Sequence, residues 1–140
     1  DIQAALGVSQ MARLDAYIER RHALARRYDL LLDGLPVTAP WQHPDGYSGL
    51  HLYVIRLQLD RIRFSHLQVF ETLRTQGIGV NLHYIPVHTQ PYYRDLGLTT
   101  GEFPESERYY AEAISLPMYA GLTDSMQDQV IEALRKAIQA

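Results

Sequence analysis

Between Ile78 and His83 the aliphatic residues Ile78, Val80 and Leu82 alternate with Gly79, Asn81 and His83. Alternation with a period of two fits an extended strand and no helix, because successive strand side chains point to opposite faces. One face of such a strand is core, and the other, with Asn81 and His83, is open. Pro86 has no N–H to give a ladder and biases Ile85 toward an extended conformation, so the strand is expected to stop near Tyr84. The loop that follows carries His88, Gln90, Tyr92 and Tyr93. Amides, imidazoles and phenols gathered at a strand end can hydrogen-bond a polar ligand and offer it flat rings, which suits a sugar or nucleotide better than a lipid. The same pattern also describes a strand end whose polar residues simply face water, and the residue types alone leave both readings open.

The flanking periodicities set the fold class. Met11, Leu14, Ile18, Ala25, Tyr28, Leu32 and Leu35 recur at helical spacing, interrupted at Arg21, and Ile2, Ala5 and Leu6 extend the stripe upstream. This predicts one long amphipathic helix over residues 1–35, with Gly7 as a weak point and Gly34 followed by Pro36 as its stop. Residues 36–49 read as an irregular connection with Trp41 pinned to the body. From His51 to Leu59, Tyr53, Ile55, Leu57 and Leu59 share one face, a half-buried strand. Phe64, Leu67, Phe70 and Leu73 then predict a helix closed by Gly77, ahead of the central strand. A short helix over Pro91 to Leu96, a second from Pro104 to about Ala113, and a brief apolar segment from Ile114 to Met118 follow. Thr123 is placed to cap a last helix whose buried stripe is Met126, Val130, Leu134 and Ile138. The expected architecture is α/β of the α+β type: a small, mostly antiparallel sheet covered by helices.

Composition narrows the function. The 140 residues suit one domain, and the formal charge of −3 lacks the dense positive surface that sequence-independent nucleic-acid binding needs. No apolar run approaches the roughly 20 residues that span a bilayer. There is no cysteine, which excludes disulfides and thiolate metal sites and fits a reducing, cytoplasmic setting. Of the 13 basic residues only Lys136 is a lysine, so any chemistry that needs an amine has one candidate. His83 and His88 stand five apart across a proline with no third ligand at a recognisable spacing, which argues against a metal. No serine has a nucleophile-elbow context, and no glycine-rich loop has phosphate-binding spacing. The first residues, Asp1 to Gly7, have neither an initiator methionine nor the basic and apolar parts of a signal peptide, as expected of a piece of something longer.

Several segments together resemble one family. Asp-Ile-Gln-Ala-Ala-Leu-Gly at Asp1 to Gly7 with Gln10 and Leu14-Asp15, His-Leu-Tyr at His51 to Tyr53, Gly-Ile-Gly-Val and His-Tyr-Ile-Pro-Val-His from Gly77 to His88, Gln90 to Tyr93, and Ser-Leu-Pro-Met-Tyr with Gly-Leu-Thr between Ser115 and Thr123 are similar, in order, to the C-terminal portion of the DegT/StrS sugar-nucleotide aminotransferases. The His-Tyr-Ile-Pro form and the Tyr109-Tyr110 pair look most like the altrosamine transaminases of pseudaminic acid synthesis. The resemblance implies a fold type I enzyme that uses pyridoxal phosphate (PLP) to move an amino group from glutamate to the 4-keto position of a UDP-linked deoxysugar, for surface-glycan or nonulosonic acid precursors. It implies a homodimer at full length, with no nucleic-acid or membrane partner. It also implies that the Schiff-base lysine lies in a large N-terminal domain absent from this chain, since Lys136 sits in no comparable motif. Residues 1–35 would then be a connecting helix and residues 36–140 the small C-terminal domain, inactive alone. Carried over by motif, Asn81, Leu82, His83 and Tyr84 match the segment that contacts the nucleotide-sugar, Leu82 through its backbone, with His88 and Tyr92 as further candidates. The alternative is a freestanding sugar-nucleotide binding or regulatory module without catalysis.

Overall fold

In the computed structural model, which describes residues 1–139, the chain builds three antiparallel strands and six α-helices. Helices α1 (Ile2–Met11) and α2 (Leu14–Leu32) come first, then β1 (Val37–Thr38), β2 (Tyr53–Leu57) and α3 (His66–Thr75). A 3-10 turn (Val87–Thr89), α4 (Pro91–Asp95), α5 (Pro104–Glu112), β3 (Ala113–Leu116) and α6 (Asp124–Gln139) complete the order. The sheet runs β1-β2-β3, with Val37 opposite Leu57, Tyr53 opposite Leu116 and Ile55 opposite Ile114. Tyr53, Ile55 and Leu57 point into the core as the alternation requires, and they meet Leu24, Tyr28 and Leu32 from α2. On α6, Val130, Leu134 and Ile138 are buried, and this helix packs on both α2 and α3. Each such apolar side chain contributes about 1.5–3 kcal/mol by leaving water. No helix among the described residues is long and apolar enough to cross a membrane.

Local signals place the ends. Gly34, Gly77 and Gly97 all have positive φ where helices stop, a conformation that a side chain would strain. Ser65 and Gln68 close a reciprocal capping box on α3, and Thr123 Oγ1 accepts from the Met126 N–H at 3.2 Å.

Six expectations from the sequence are corrected. The single helix over residues 1–35 is two, because the Arg13 N–H turns to the Gln10 carbonyl at 3.0 Å, one residue short of helical register. Residues 1–17 are exposed, so the described residues give Met11, 65% exposed, and Leu14, 40% exposed, little cover to hold the helix straight. The central strand reduces to one bridge between Asn81 and Ser115, because the next hydrogen-bonded pair would set Gly79 opposite Pro117, which has no N–H to give the ladder. Burial still alternates there, with Val80 buried and Asn81 exposed. Trp41 is 77% exposed and pins nothing, while β1 forms where an irregular connection was expected. On α3, Leu67 is exposed and Val69 takes its place in the core beside Leu73. On α6, Met126 is exposed, and its neighbour Gln127 is fully buried.

Candidate functional site

A cleft of about 510 Å³ opens where the extended segment after Gly77, the end of β3 and the first turns of α6 converge. Gly77, Ile78, Gly79 and Asn81 form one wall, Ser115 to Tyr119 the floor, and Leu122, Met126, Gln129 and Val130 the other wall, with His51 and Leu52 at one side. Its position follows from the chain's local chemistry. Gly77, at φ +80, turns the backbone out of α3. The Asn81–Ser115 bridge, at 3.3 and 2.8 Å, then fastens the extended segment to the edge of β3. The Tyr28 hydroxyl donates to the Pro117 carbonyl at 3.0 Å, which ties the floor to the core. Burial pushes the Tyr28 phenol well above its ordinary pKa, so it stays a donor. Among the described residues, no Asp, Glu, Lys or Arg lines the cleft. The polar groups it offers are uncharged amides and hydroxyls together with the imidazole of His51, and Tyr119 reaches Met126 across the opening through its hydroxyl at 3.5 Å from the sulfur. Such a lining suits hydroxyl, amide and carbonyl groups on a compact apolar body.

The residues singled out from the sequence are only partly gathered here. Asn81 lines the cleft with its side chain exposed. His83 does not line the cleft; it is half-buried, with Nδ1 at 2.6 Å from the hydroxyl of Ser115, which does. Tyr84 packs edge-on against the His83 ring at 4.5 Å between centroids and is 76% exposed, while Leu82 turns partly into the core. Tyr92 lies exposed on α4, edge-on to Tyr93, and does not line the cleft. His88 is buried, packed on Phe103 at 4.7 Å, with Nε2 2.8 Å from Glu107 Oε1. Glu107 also accepts from the Gly101 N–H at 2.7 Å, and that bond first, then the one from His88, holds its carboxyl below the usual carboxylate range. An ionised carboxylate only accepts, so Nε2 of His88 carries the proton. His88 therefore fastens the 3-10 turn to α5 and does not line the cleft.

Sequence reasoning missed Ser115, Gln129, His51 and Tyr119. Ser115 is 4% exposed inside an otherwise apolar strand, and a lone buried hydroxyl among aliphatics was the available signal, since such a group must find a partner.

The model of the DegT/DnrJ/EryC1/StrS aminotransferase family matches residues 1–135. SpsC of Bacillus subtilis, a spore coat polysaccharide biosynthesis protein, is 36% identical over 142 residues, covering 99% of this chain and 36% of its own. Among solved structures, Spr1654 of Streptococcus pneumoniae in its PLP form superposes with a TM-score of 0.89 at 26% identity, over 99% of this chain and 36% of that one. PseC of Helicobacter pylori, an aminotransferase involved in the biosynthesis of pseudaminic acid, gives 0.87 at 28% identity, over 99% and 37%. The chain thus spans about a third of the length of these relatives. Its own residues do not fit a PLP site. Lys136 Nζ pairs with Glu132 at 3.2 Å on the solvent side of α6, and neither a lysine nor a charged phosphate partner lines the cleft. Matched almost from end to end and built on the same small antiparallel sheet, the chain belongs to the DegT/DnrJ/EryC1/StrS aminotransferase family.

Proposed function

We propose that this chain supplies the substrate side of a PLP-dependent aminotransferase that moves an amino group from glutamate to the 4-keto position of a UDP-linked deoxysugar. Residues 1–35 serve as the connecting segment and residues 36–140 as the small domain. The lysine that carries the cofactor belongs to the large domain of the same enzyme, which works as a homodimer. The observation that carries this reading is the cleft with Asn81 on its wall and His83 hydrogen-bonded to Ser115 of its floor, in a chain whose family is that of sugar aminotransferases. The uncharged lining favours the hydroxyl, amide and keto groups of the sugar over its diphosphate. Asn81, His83 and Tyr84 make side-chain contacts and Leu82 a backbone one. The names of SpsC and PseC support a role in surface polysaccharide or pseudaminic acid precursor synthesis.

The test is made on the full-length enzyme. Asn81→Ala and His83→Ala each remove one hydrogen bond to the sugar, and at about 0.5–1.5 kcal/mol per bond each is expected to weaken binding of UDP-N-acetylglucosamine, a stable UDP-sugar, by about two- to tenfold. Titration calorimetry reads this directly. Unchanged affinity in both variants removes the strand end from the site.

A further inference from the structure

We infer that Ser115 is a positioning residue that fixes His83 as a hydrogen-bond donor, so the ligand group facing His83 is an acceptor such as a keto, hydroxyl or ring oxygen. The inference rests on the proposed function only for its ligand half, since the ring's tautomer is a property of the protein itself.

Ser115 is 4% exposed and lies in β3, where its backbone N–H and carbonyl are already taken by the bridge to Asn81. Its hydroxyl has one partner among the described residues, His83 Nδ1 at 2.6 Å. Two arrangements of that contact are possible in a neutral ring. If Nδ1 carried the proton, the hydroxyl would accept from it and its own O–H would have no acceptor among the described residues. If the hydroxyl donates to Nδ1, every polar hydrogen of the pair is used and the ring proton resides on Nε2. The second arrangement satisfies both groups. A charged ring gives the same outcome at the outer edge, since both nitrogens then donate. In either state Nε2 presents an N–H, and it has no partner among the described residues, on a half-buried ring whose orientation Tyr84 also holds at 4.5 Å. Asn81, two residues earlier on the same face, carries both a donor and an acceptor. The pair therefore reads an oxygen acceptor at His83 and tolerates either kind of group at Asn81.

The test uses the full-length protein with nitrogen-15 in its histidines, and His83→Gln assigns the ring. In the wild type at neutral pH the expected spectrum is that of the Nε2–H tautomer, and in Ser115→Ala it becomes a mixture. A neutral wild-type ring protonated at Nδ1 and not at Nε2 overturns the inference, and that measurement needs no variant to fold. Binding of UDP-N-acetylglucosamine is then read in a double-mutant cycle. Ser115→Ala is expected to weaken it by about three- to tenfold in the wild type and not further in a His83→Ala background. An equal loss in both backgrounds shows that Ser115 does not act through His83. If His83→Ala alone leaves affinity unchanged while the tautomer is as expected, the proposed contact fails and the positioning of the ring stands.

Discussion

Replacing Tyr28 by phenylalanine separates the two things this residue does. The ring is 0% exposed and packs on Tyr53 at 5.0 Å between centroids, and phenylalanine keeps that packing. What is lost is the hydroxyl's bond to the Pro117 carbonyl at 3.0 Å. A typical bond contributes about 1 kcal/mol net, and leaving the half-buried carbonyl without a donor raises the cost, for a total of about 1–2 kcal/mol. With a urea m-value of about 2 kcal/mol/M, the unfolding midpoint should fall by about 0.5–1 M with m unchanged. Far-ultraviolet circular dichroism during urea titration reads both quantities. Because Pro117 forms part of the cleft floor, the same variant of the full-length enzyme should also bind UDP-N-acetylglucosamine more weakly. A midpoint within about 0.1 M of the wild type would show that the hydroxyl holds nothing and that the ring alone matters, which would break the proposed link from α2 to the cleft.

Three further outcomes are expected. Gln127 is fully buried, donates to the Leu24 carbonyl at 3.0 Å and leaves Oε1 without a partner; Gln127→Met, similar in shape, should therefore lie within about 1 kcal/mol of the wild type, and a loss above about 2 kcal/mol in chemical denaturation would mean that the amide is fully satisfied. Glu107 has a folded pKa below its ordinary 4.5, so its ionised form stabilises the fold above that value and the contribution disappears as pH falls through the folded value. The wild type should accordingly exceed Glu107→Gln in thermal stability at about pH 6, with a gap that narrows toward about pH 3, whereas a gap independent of pH would contradict the role given to the bonds from Gly101 and His88. At Gly77, φ is +80 and an added Cβ would meet nothing within 4 Å, so Gly77→Ala should cost only the backbone strain of about 1 kcal/mol, or about 3–4 °C in melting temperature, and an unchanged melting point would argue against the left-handed turn.

Strongly periodic or sharply punctuated stretches were legible in the sequence. The alternation of Tyr53, Ile55 and Leu57 located β2, the stops at Gly34 and Gly77 are real, and Thr123 caps α6. What could not be read depends on partners distant in sequence. A hydrophobic stripe says that a helix wants to be covered but not by what, and α1 has no buried residue among those described. The pattern from Ile78 to Leu82 reports which faces are wet or dry, and Val80 is buried and Asn81 exposed as expected, but a ladder also needs N–H groups on the facing strand, and Pro117 opposite Gly79 has none. Polar burial is the hardest to foresee. Gln127 and Ser115 look like ordinary surface residues by type, and only the fold brings Leu24 and His83 within reach of them. His88 is the converse case: its type and place made it a ligand candidate, and Glu107, 19 residues later, claimed it for structure.

The central claim is that this chain shapes the substrate side of an enzyme whose cofactor is carried elsewhere. Borohydride reduction of the full-length protein followed by peptide mass spectrometry addresses it directly, because reduction makes the linkage between PLP and its lysine permanent. The account predicts a pyridoxyl group on a lysine outside these 140 residues, with Lys136 unmodified. A pyridoxyl group on Lys136, or on no lysine at all, would contradict it.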